Sequence, residues 1–441
     1  MIKRDKYLDQ LIKGMDFPEY PKVITGIRRC GKSYLLTVLF KNYLLESGIN
    51  NQNILIVDLD NDFYANLRNP IELSKYVRNY CADKNQKYFV IIDEVQSVFS
   101  LVNLSLTNGK YVLAKNTDTE IISFVDIVLG LSHESNIDLY ITGSNSKMLS
   151  SDVVTQFRGK SINIDVKPLS FSEYYNMNSV DKSKALEEYM IYGGMPFAVL
   201  QDEEEKKKYL KSLFDTTYFK DIIERNKLKK SDSLDELCNI LSECVGTLIN
   251  KEKLANTYRS KTKQKIDKDT VNSYINYFVD SFLLKEAKRY DLKGKNEIGA
   301  LRKYYFVDTG LRNARLNFAF ADRGQMLENI VFNELIYNGF SVNVGCFNSF
   351  ENDKNGKTIR KSYEIDMYAI RGNDQYYIQV CDKYIDDETI AREEAPFIKL
   401  NDGLQKIIVV NENINQTFNK NGYTIIGAVD FLTRFIVNKK Y

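Results

Sequence analysis

One segment constrains this chain more than any other. Gly26-Ile27-Arg28-Arg29-Cys30-Gly31-Lys32-Ser33 follows a β-rich run at Lys22–Thr25 and opens a helical pattern over 32–45. The spacing G-x-x-x-x-G-K-[ST] between a strand and a helix is that of a phosphate-binding loop. Glycines let backbone N–H groups turn inward around phosphates, and the helix N-terminus adds partial positive charge. Lys32 would reach the terminal phosphates, and the Ser33 hydroxyl is offered to Mg²⁺. The surroundings supply a matching sheet. Apolar runs at Lys22–Thr25, Ile54–Asp58, Tyr88–Asp93, 139–142 and 162–166 alternate with helical patterns at 32–45, 71–81 and 121–131. That alternation predicts an α/β fold with a mostly parallel sheet, binding its ligand at the carboxyl ends of the strands.

Such a loop shows binding, whereas hydrolysis also needs a metal carboxylate and a group to activate water. Tyr88-Phe89-Val90-Ile91-Ile92-Asp93-Glu94 is an apolar strand ending in two acids. Asp93 is placed to hold the Mg²⁺ shell, and Glu94, pointing elsewhere, to act as general base. Leu139-Tyr140-Ile141-Thr142-Gly143-Ser144-Asn145-Ser146 is another strand breaking into small polar residues, with Ser144 or Asn145 as a polar sensor between Asp93 and the γ-phosphate. Phe157-Arg158-Gly159-Lys160 brings two cations beside a glycine. Arg158 and Lys160 are candidates to stabilise transition-state charge, and a solvated surface turn is the alternative.

Length and composition limit the rest. At roughly 100–200 residues per domain, 441 residues make two to four domains. The 61 basic and 59 acidic side chains give +2 overall, so any charged binding surface must be local. His133 is the single histidine, and the six cysteines form no Cys-x-x-Cys pair. Zinc-finger and histidine-triad chemistry are therefore excluded unless His133 acts alone. The free thiols fit a reducing compartment. No apolar run approaches the ~20 residues of a membrane helix, and the start carries no signal-peptide core. The expectation is a cytoplasmic protein without a membrane partner.

Further along, 168–226 reads as helical, broken by the turn Tyr192-Gly193-Gly194-Met195-Pro196. Helices at 234–249 and 251–258 and a third bearing Val271, Tyr274, Ile275, Phe278 and Phe282 precede strands at 283–290 and 301–307, joined by a loop over 291–300. Three helices and a hairpin form the pattern of a winged helix. From 251 to 303 there are fourteen Lys/Arg against seven Asp/Glu, including Arg259, Lys261, Lys263, Lys265 and Lys268 before the third helix and Lys293 and Lys295 at the hairpin tip. DNA phosphates and a docked protein are both open as its partner. After 308 the pattern is mixed α/β again, with a helix at 324–337 and strands at 363–370, 376–381 and 406–410. The expected domains are a nucleotide-binding core at 1–167, a helical lid at 168–228, a winged-helix module at 229–310 and a second α/β domain at 311–441.

The loop Gly26–Ser33 and the Asp93-Glu94 strand, with Thr142-Gly143-Ser144, Pro168-Leu169-Ser170-Phe171, Tyr192-Gly193-Gly194-Met195-Pro196, Glu364-Ile365-Asp366 and Tyr377-Ile378-Gln379-Val380, follow one another in an order that resembles the prokaryotic AAA-type ATPase family with a C-terminal domain of unknown function. The resemblance implies ATP rather than GTP, a P-loop core of the additional-strand class with Glu94 as base, a winged-helix middle and a C-terminal domain similar to PD-(D/E)xK nucleases. The family commonly has Gly-Arg where this chain has Gly159-Lys160, which leaves Arg158 as the planar cation. A finger residue from a neighbouring copy would imply a homo-oligomer. In the nuclease-like part Glu328 and Asp366 match, but Gln379-Val380-Cys381 stands where Glu-x-Lys is needed. The second acid and the lysine are missing, and Lys383 lies two residues beyond. Glu328, Glu364, Asp366 and Gln379 then read as a degenerate cluster without nuclease activity. The expected activity is Mg²⁺-dependent ATP hydrolysis driving a conformational switch. A nucleotide-loaded adaptor acting on an unknown protein and an ATP-gated nuclease are the alternatives.

Overall fold

The five apolar runs of the first third are strands of one parallel sheet: β1 (Lys22–Thr25), β2 (Ile54–Asp58), β3 (Tyr88–Asp93), β4 (Ile137–Gly143) and β5 (Ile162–Asp165). The computed structural model describes residues 2–437 apart from 116, 144–156, 158, 178–180, 229–231, 320–321, 353–356, 385–386 and 401. It divides into two units, Met1–Lys167 with Asp280–Phe282, and Pro168–Val279 with Leu283–Tyr441.

In the first unit the strand order is β2-β3-β4-β1-β5. β4 therefore separates the strand that feeds the phosphate loop from the strand that ends in Asp93, pairing in parallel with both. β3 and β4 are buried along their whole length, as a sheet covered on both faces requires. Their side chains pack with Val77, Val125, Val128 and Leu131 of the helices Pro70–Tyr80 and Phe124–Ser132. The far end of the sheet carries a charge pair with no solvent exposure, Lys22 Nζ to Asp138 Oδ1 at 2.6 Å. Lys22 also donates to the Phe17 carbonyl, and the Tyr140 hydroxyl donates to Asp138 Oδ2. Burial lowers the Lys22 pKa, with Asp138 opposing it. A buried pair contributes little net stability but penalises any slip of β1 against β4 that would separate its members.

The second unit begins with helices, among them Phe171–Met177 and Lys182–Tyr192. Helices Asp232–Glu243, Lys251–Thr262 and Lys268–Asp280 then lead into a hairpin of β6 (Leu284–Asp291) and β7 (Asn296–Phe306). The connection is shorter than the loop expected over 291–300. The Asp291 side chain accepts from the N–H groups of Lys293 and Gly294, both at 3.0 Å, and closes the turn early. The hairpin does not stand free. β6 also pairs in parallel with β8 (Ser341–Asn352). Strands β9 (Thr358–Arg371), β10 (Asp374–Cys381), β11 (Gln405–Val410), β12 (Thr417–Phe418) and β13 (Thr424–Gly427) complete an eight-stranded mixed sheet of order β12-β13-β11-β10-β9-β8-β6-β7. The helix Arg323–Tyr337 packs on β7, β8 and β10.

Two motifs with no chemistry of their own find their reason here. Gly193 has φ +67°, and a Cβ there would lie 2.2 Å from the Asp308 carboxylate. That carboxylate accepts from Gly194 N–H at 2.7 Å and from Leu311 N–H at 3.0 Å, capping the helix Thr309–Arg315. The Gly194 carbonyl accepts from Leu169 N–H, and the Tyr189 hydroxyl donates to the Leu169 carbonyl. The segments around Leu169, Gly193-Gly194 and Asp308 thus lock together through backbone too close for side chains. Burial pushes the Asp308 carboxyl up to about 6, against the backbone N–H groups that favour its charge. Gly193→Ala combines left-handed strain with this overlap and is expected to destabilise the protein by about 2–4 kcal/mol in urea unfolding.

Candidate functional site

The first site is built where β1 breaks. Gly26 has φ +141°, and a Cβ on it would stand 2.0 Å from the Val166 carbonyl oxygen, so only glycine lets the loop pass the end of β5. The Cys30 thiol donates to the same carbonyl, and burial raises its pKa, which marks it as a packing thiol. Arg29 (φ 63°) and Gly31 (φ 96°) both take the left-handed region. Alternating backbone of this kind turns successive N–H groups toward one concavity, ahead of the helix that starts at Lys32. Helical hydrogen bonding begins with Leu35 N–H to the Gly31 carbonyl. Lys32 is buried, and its ammonium donates to the carbonyls of Gly26 at 3.0 Å and Ile27 at 3.1 Å. Ile27 is buried, Arg28 half-buried and Arg29 exposed.

Asp93 ends β3 at 5% exposure. Burial pushes its carboxyl pKa up, the hydroxyls of Ser33 and Thr142 hold it down, and the charges of Glu94 and Asp58 push it up again. Asp58 is its register partner on β2. The Thr142 hydroxyl donates to Asp93 Oδ1 and accepts from Glu94 N–H at 2.9 Å. Glu94 takes a left-handed backbone, φ 54°, which breaks the strand alternation immediately after Asp93. Its carboxylate accepts from Gln96 Nε2. The phosphate loop, Asp93 and Thr142 thus meet through side-chain contacts, and Glu94 joins them through its backbone N–H. A hydroxyl and a carboxylate are hard oxygen ligands, and Mg²⁺ held largely by phosphates and waters needs only one or two such protein groups. The residues present fit that ion.

Ser144, Asn145 and Arg158 lie outside the described residues. Lys160 is exposed on the turn before β5 and makes no ion pair among the described residues. Thr142 is visible in sequence only as part of Thr142-Gly143-Ser144, which does not give its contacts with Asp93 and Glu94, and Gln96 carries no signal, since glutamine is generic in a turn.

The acids of the nuclease-like part also come together, around a residue that the motif reading did not include. Lys303 of β7 has its ammonium 2.9 Å from Glu328 Oε1, 2.9 Å from Glu364 Oε1 and 3.0 Å from Asp366 Oδ1. The Tyr305 hydroxyl, two residues on and on the same strand face, donates to Glu328 Oε1 at 2.6 Å. Gln379 Oε1 accepts from Asp366 N–H, and Gln379 Nε2 donates to Glu393, an acid from the helix Asp387–Leu400. Burial pushes Glu328 up to about 7. Burial works against the Lys303 ammonium, but Asp366, Glu328 and Glu364 outweigh it and raise its pKa. Lys383 is exposed, so the relocated lysine considered from sequence is not the one in the cluster.

The basic stretch is partly consumed by structure. Lys303 is buried. Lys293 donates to the Asn348 carbonyl and lies over the Phe347 ring, which ties its side chain to the sheet while leaving it exposed beside Lys295. Lys261 pairs with Glu243 and Lys268 with Glu252. Arg259, Lys263, Lys265 and Lys295 are exposed and make no ion pair among the described residues.

A family model described as "AAA domain" matches residues 18–175, and one described as "Domain of unknown function (DUF8612)" matches 183–322. An uncharacterized protein of Haemophilus influenzae is 31% identical over 437 residues, 98% of each chain. One of Methanocaldococcus jannaschii is 28% identical over 398 residues, 86% of this chain and 79% of the relative. Among solved structures, a Walker-type ATPase of Pyrococcus abyssi aligns at 14% identity and TM-score 0.47, covering 72% of this chain and 96% of that one.

Thr142→Val keeps the strand and its volume but removes the hydroxyl between Asp93 and Glu94. Nucleotide turnover is expected to fall about 10–100-fold with nucleotide affinity changed far less, and Thr142→Ser should restore most of it. A turnover assay beside a binding titration checks this.

Proposed function

Because this chain belongs to the AAA-domain family of P-loop ATPases, we propose that it binds MgATP at Gly26–Ser33 and hydrolyses it to ADP and phosphate, using the cycle as a conformational switch. The observation that carries this reading is the chain of contacts from Ser33 through Asp93 and Thr142 to Glu94, which joins the phosphate loop to both acids. ATP as the nucleotide rests on the family.

The roles follow from position. Loop N–H groups and the helix N-terminus bind the phosphates, and Lys32 exchanges its bonds to the loop carbonyls for phosphate oxygens. Mg²⁺ held by Ser33 and Asp93 would neutralise charge on the β- and γ-phosphates. Glu94 accepts the proton of the attacking water as the bond to the ADP oxygen breaks, and Gln96 and the bonded Glu94 N–H fix its orientation. Glu94→Gln removes the base while leaving the loop intact. Turnover is expected to fall at least about 100-fold, with ATP retained on the protein after gel filtration. Unchanged phosphate release would remove Glu94 from the role. A wild-type chain that binds ATP without turnover would instead make this a nucleotide-loaded adaptor.

A second reading concerns the exposed cations Arg259, Lys263 and Lys265, which precede the helix Lys268–Asp280 and have no acidic partner among the described residues. We propose that they contact nucleic-acid phosphates, as a winged helix presenting that helix to DNA would. In fluorescence anisotropy with duplex DNA, binding should weaken steeply with salt. Lys263→Ala with Lys265→Ala should flatten the log–log salt slope by about 2. No binding at low salt would sink this and leave a protein partner.

A further inference from the structure

A nuclease-type cluster uses its acids to hold a divalent cation. The corresponding acids here already surround a positive charge. Lys303 Nζ lies within 3.0 Å of Glu328, Glu364 and Asp366, so its three N–H groups match three carboxylate oxygens. The lysine is 2% exposed. Two further bonds tie the acids down: Asp366 Oδ2 accepts from Val380 N–H at 3.1 Å, and Glu328 Oε1, already bonded to Lys303, also accepts from Tyr305 at 2.6 Å. Glu393 is bonded by Gln379 and Arg392. Among the described residues no group of three or more His, Cys, Asp or Glu is arranged to hold a metal ion. The acids and Gln379 nevertheless line an open cleft of about 450 Å³ together with Lys361 and Arg392, so solvent reaches their outer side.

We propose that the Lys303 ammonium is a built-in replacement for the divalent cation of a nuclease-type site, so that this cluster takes no Mg²⁺ or Mn²⁺ and instead fastens β7 to the helix Arg323–Tyr337 and to β9. An incoming ion would have to expel the ammonium from its three acceptors while the lysine stem stays buried. Leaving an ammonium buried without partners is among the most unfavourable events in a protein interior. Gln379 fits the same logic. A glutamate there would add a further charge beside acids whose one buried cation is Lys303, and it could not donate to Glu393 as the amide does. This inference is independent of the ATPase reading, because it concerns other residues and its test uses no nucleotide.

The test is a Mn²⁺ titration of the full-length, nucleotide-free protein, read by the EPR signal of free Mn²⁺. Wild type and Asp366→Asn are expected to give superimposable curves, because any weak binding at the phosphate loop is common to both. Lys303→Ala, which opens a space lined by three carboxylates, is expected to gain one Mn²⁺ per chain with Kd on the order of 0.1–1 mM. Its Tm should rise with added Mn²⁺, and both gains should vanish in the double variant with Asp366→Asn. Mn²⁺ bound by wild type and lost in Asp366→Asn would overturn the proposal. So would a folded Lys303→Ala that gains no site. Should Lys303→Ala not fold, the wild-type comparison decides alone. Should Asp366→Asn not fold, Glu364→Gln, at a partly exposed side chain, takes its place in that comparison.

Discussion

Asp93 stands at the end of a strand that is otherwise wholly apolar, where burial pushes its carboxyl pKa up. Two hydroxyls oppose that shift and favour the charged form, one from the phosphate loop and one from β4. The second is available only because β4 lies between β1 and β3, which brings Thr142 beside Asp93 while Ile24 of β1 sits across from Thr142 on the other side. Strand order is therefore part of the site. The Lys22–Asp138 pair at the opposite end holds β4 in register with β1, and the pairing of β4 with β3 sets Thr142 beside Asp93. A shift by one residue would turn Thr142 to the other face and part the buried charges together.

What could be read from sequence divides along physical lines. The phosphate loop and the Asp93-Glu94 strand were legible because their chemistry demands particular residue types at fixed local spacing. The alternation of strands and helices was legible because burial on both faces leaves continuous apolar runs. Ser341–Asn352 was not assigned a strand, since Gly345 and five Asn and Ser residues give it turn chemistry, yet pairing with β6 and β9 overrides that preference. The helix Asp387–Leu400 was hidden by Pro396. Thr142, Gln96, Lys303 and Glu393 share a different obstacle. Their roles arise from contacts set by tertiary folding; Thr142 lies in a recognisable motif, but nothing local in any of the four reveals the contact it makes. The two glycines of Gly193-Gly194 were visible as a turn, but their reason, the Asp308 carboxylate 114 residues beyond Gly194, was not.

The two acid clusters of this chain differ less in their acids than in what faces them. Asp93 is met by hydroxyls, which are neutral. They offset part of the desolvation yet leave the negative charge in place, next to an exposed Ser33 and a loop shaped for phosphates. Glu328, Glu364 and Asp366 are met by an ammonium, which cancels charge and fills the position between them. A carboxylate that keeps its charge beside solvent is prepared for a metal ion that arrives with its substrate. A carboxylate whose partner is covalently part of the chain has its counter-ion for as long as the protein is folded. The presence of acids at matching positions therefore does not decide whether such a cluster is a metal site; the nearest cation does, and in this fold it comes from a strand outside the nuclease-type motif.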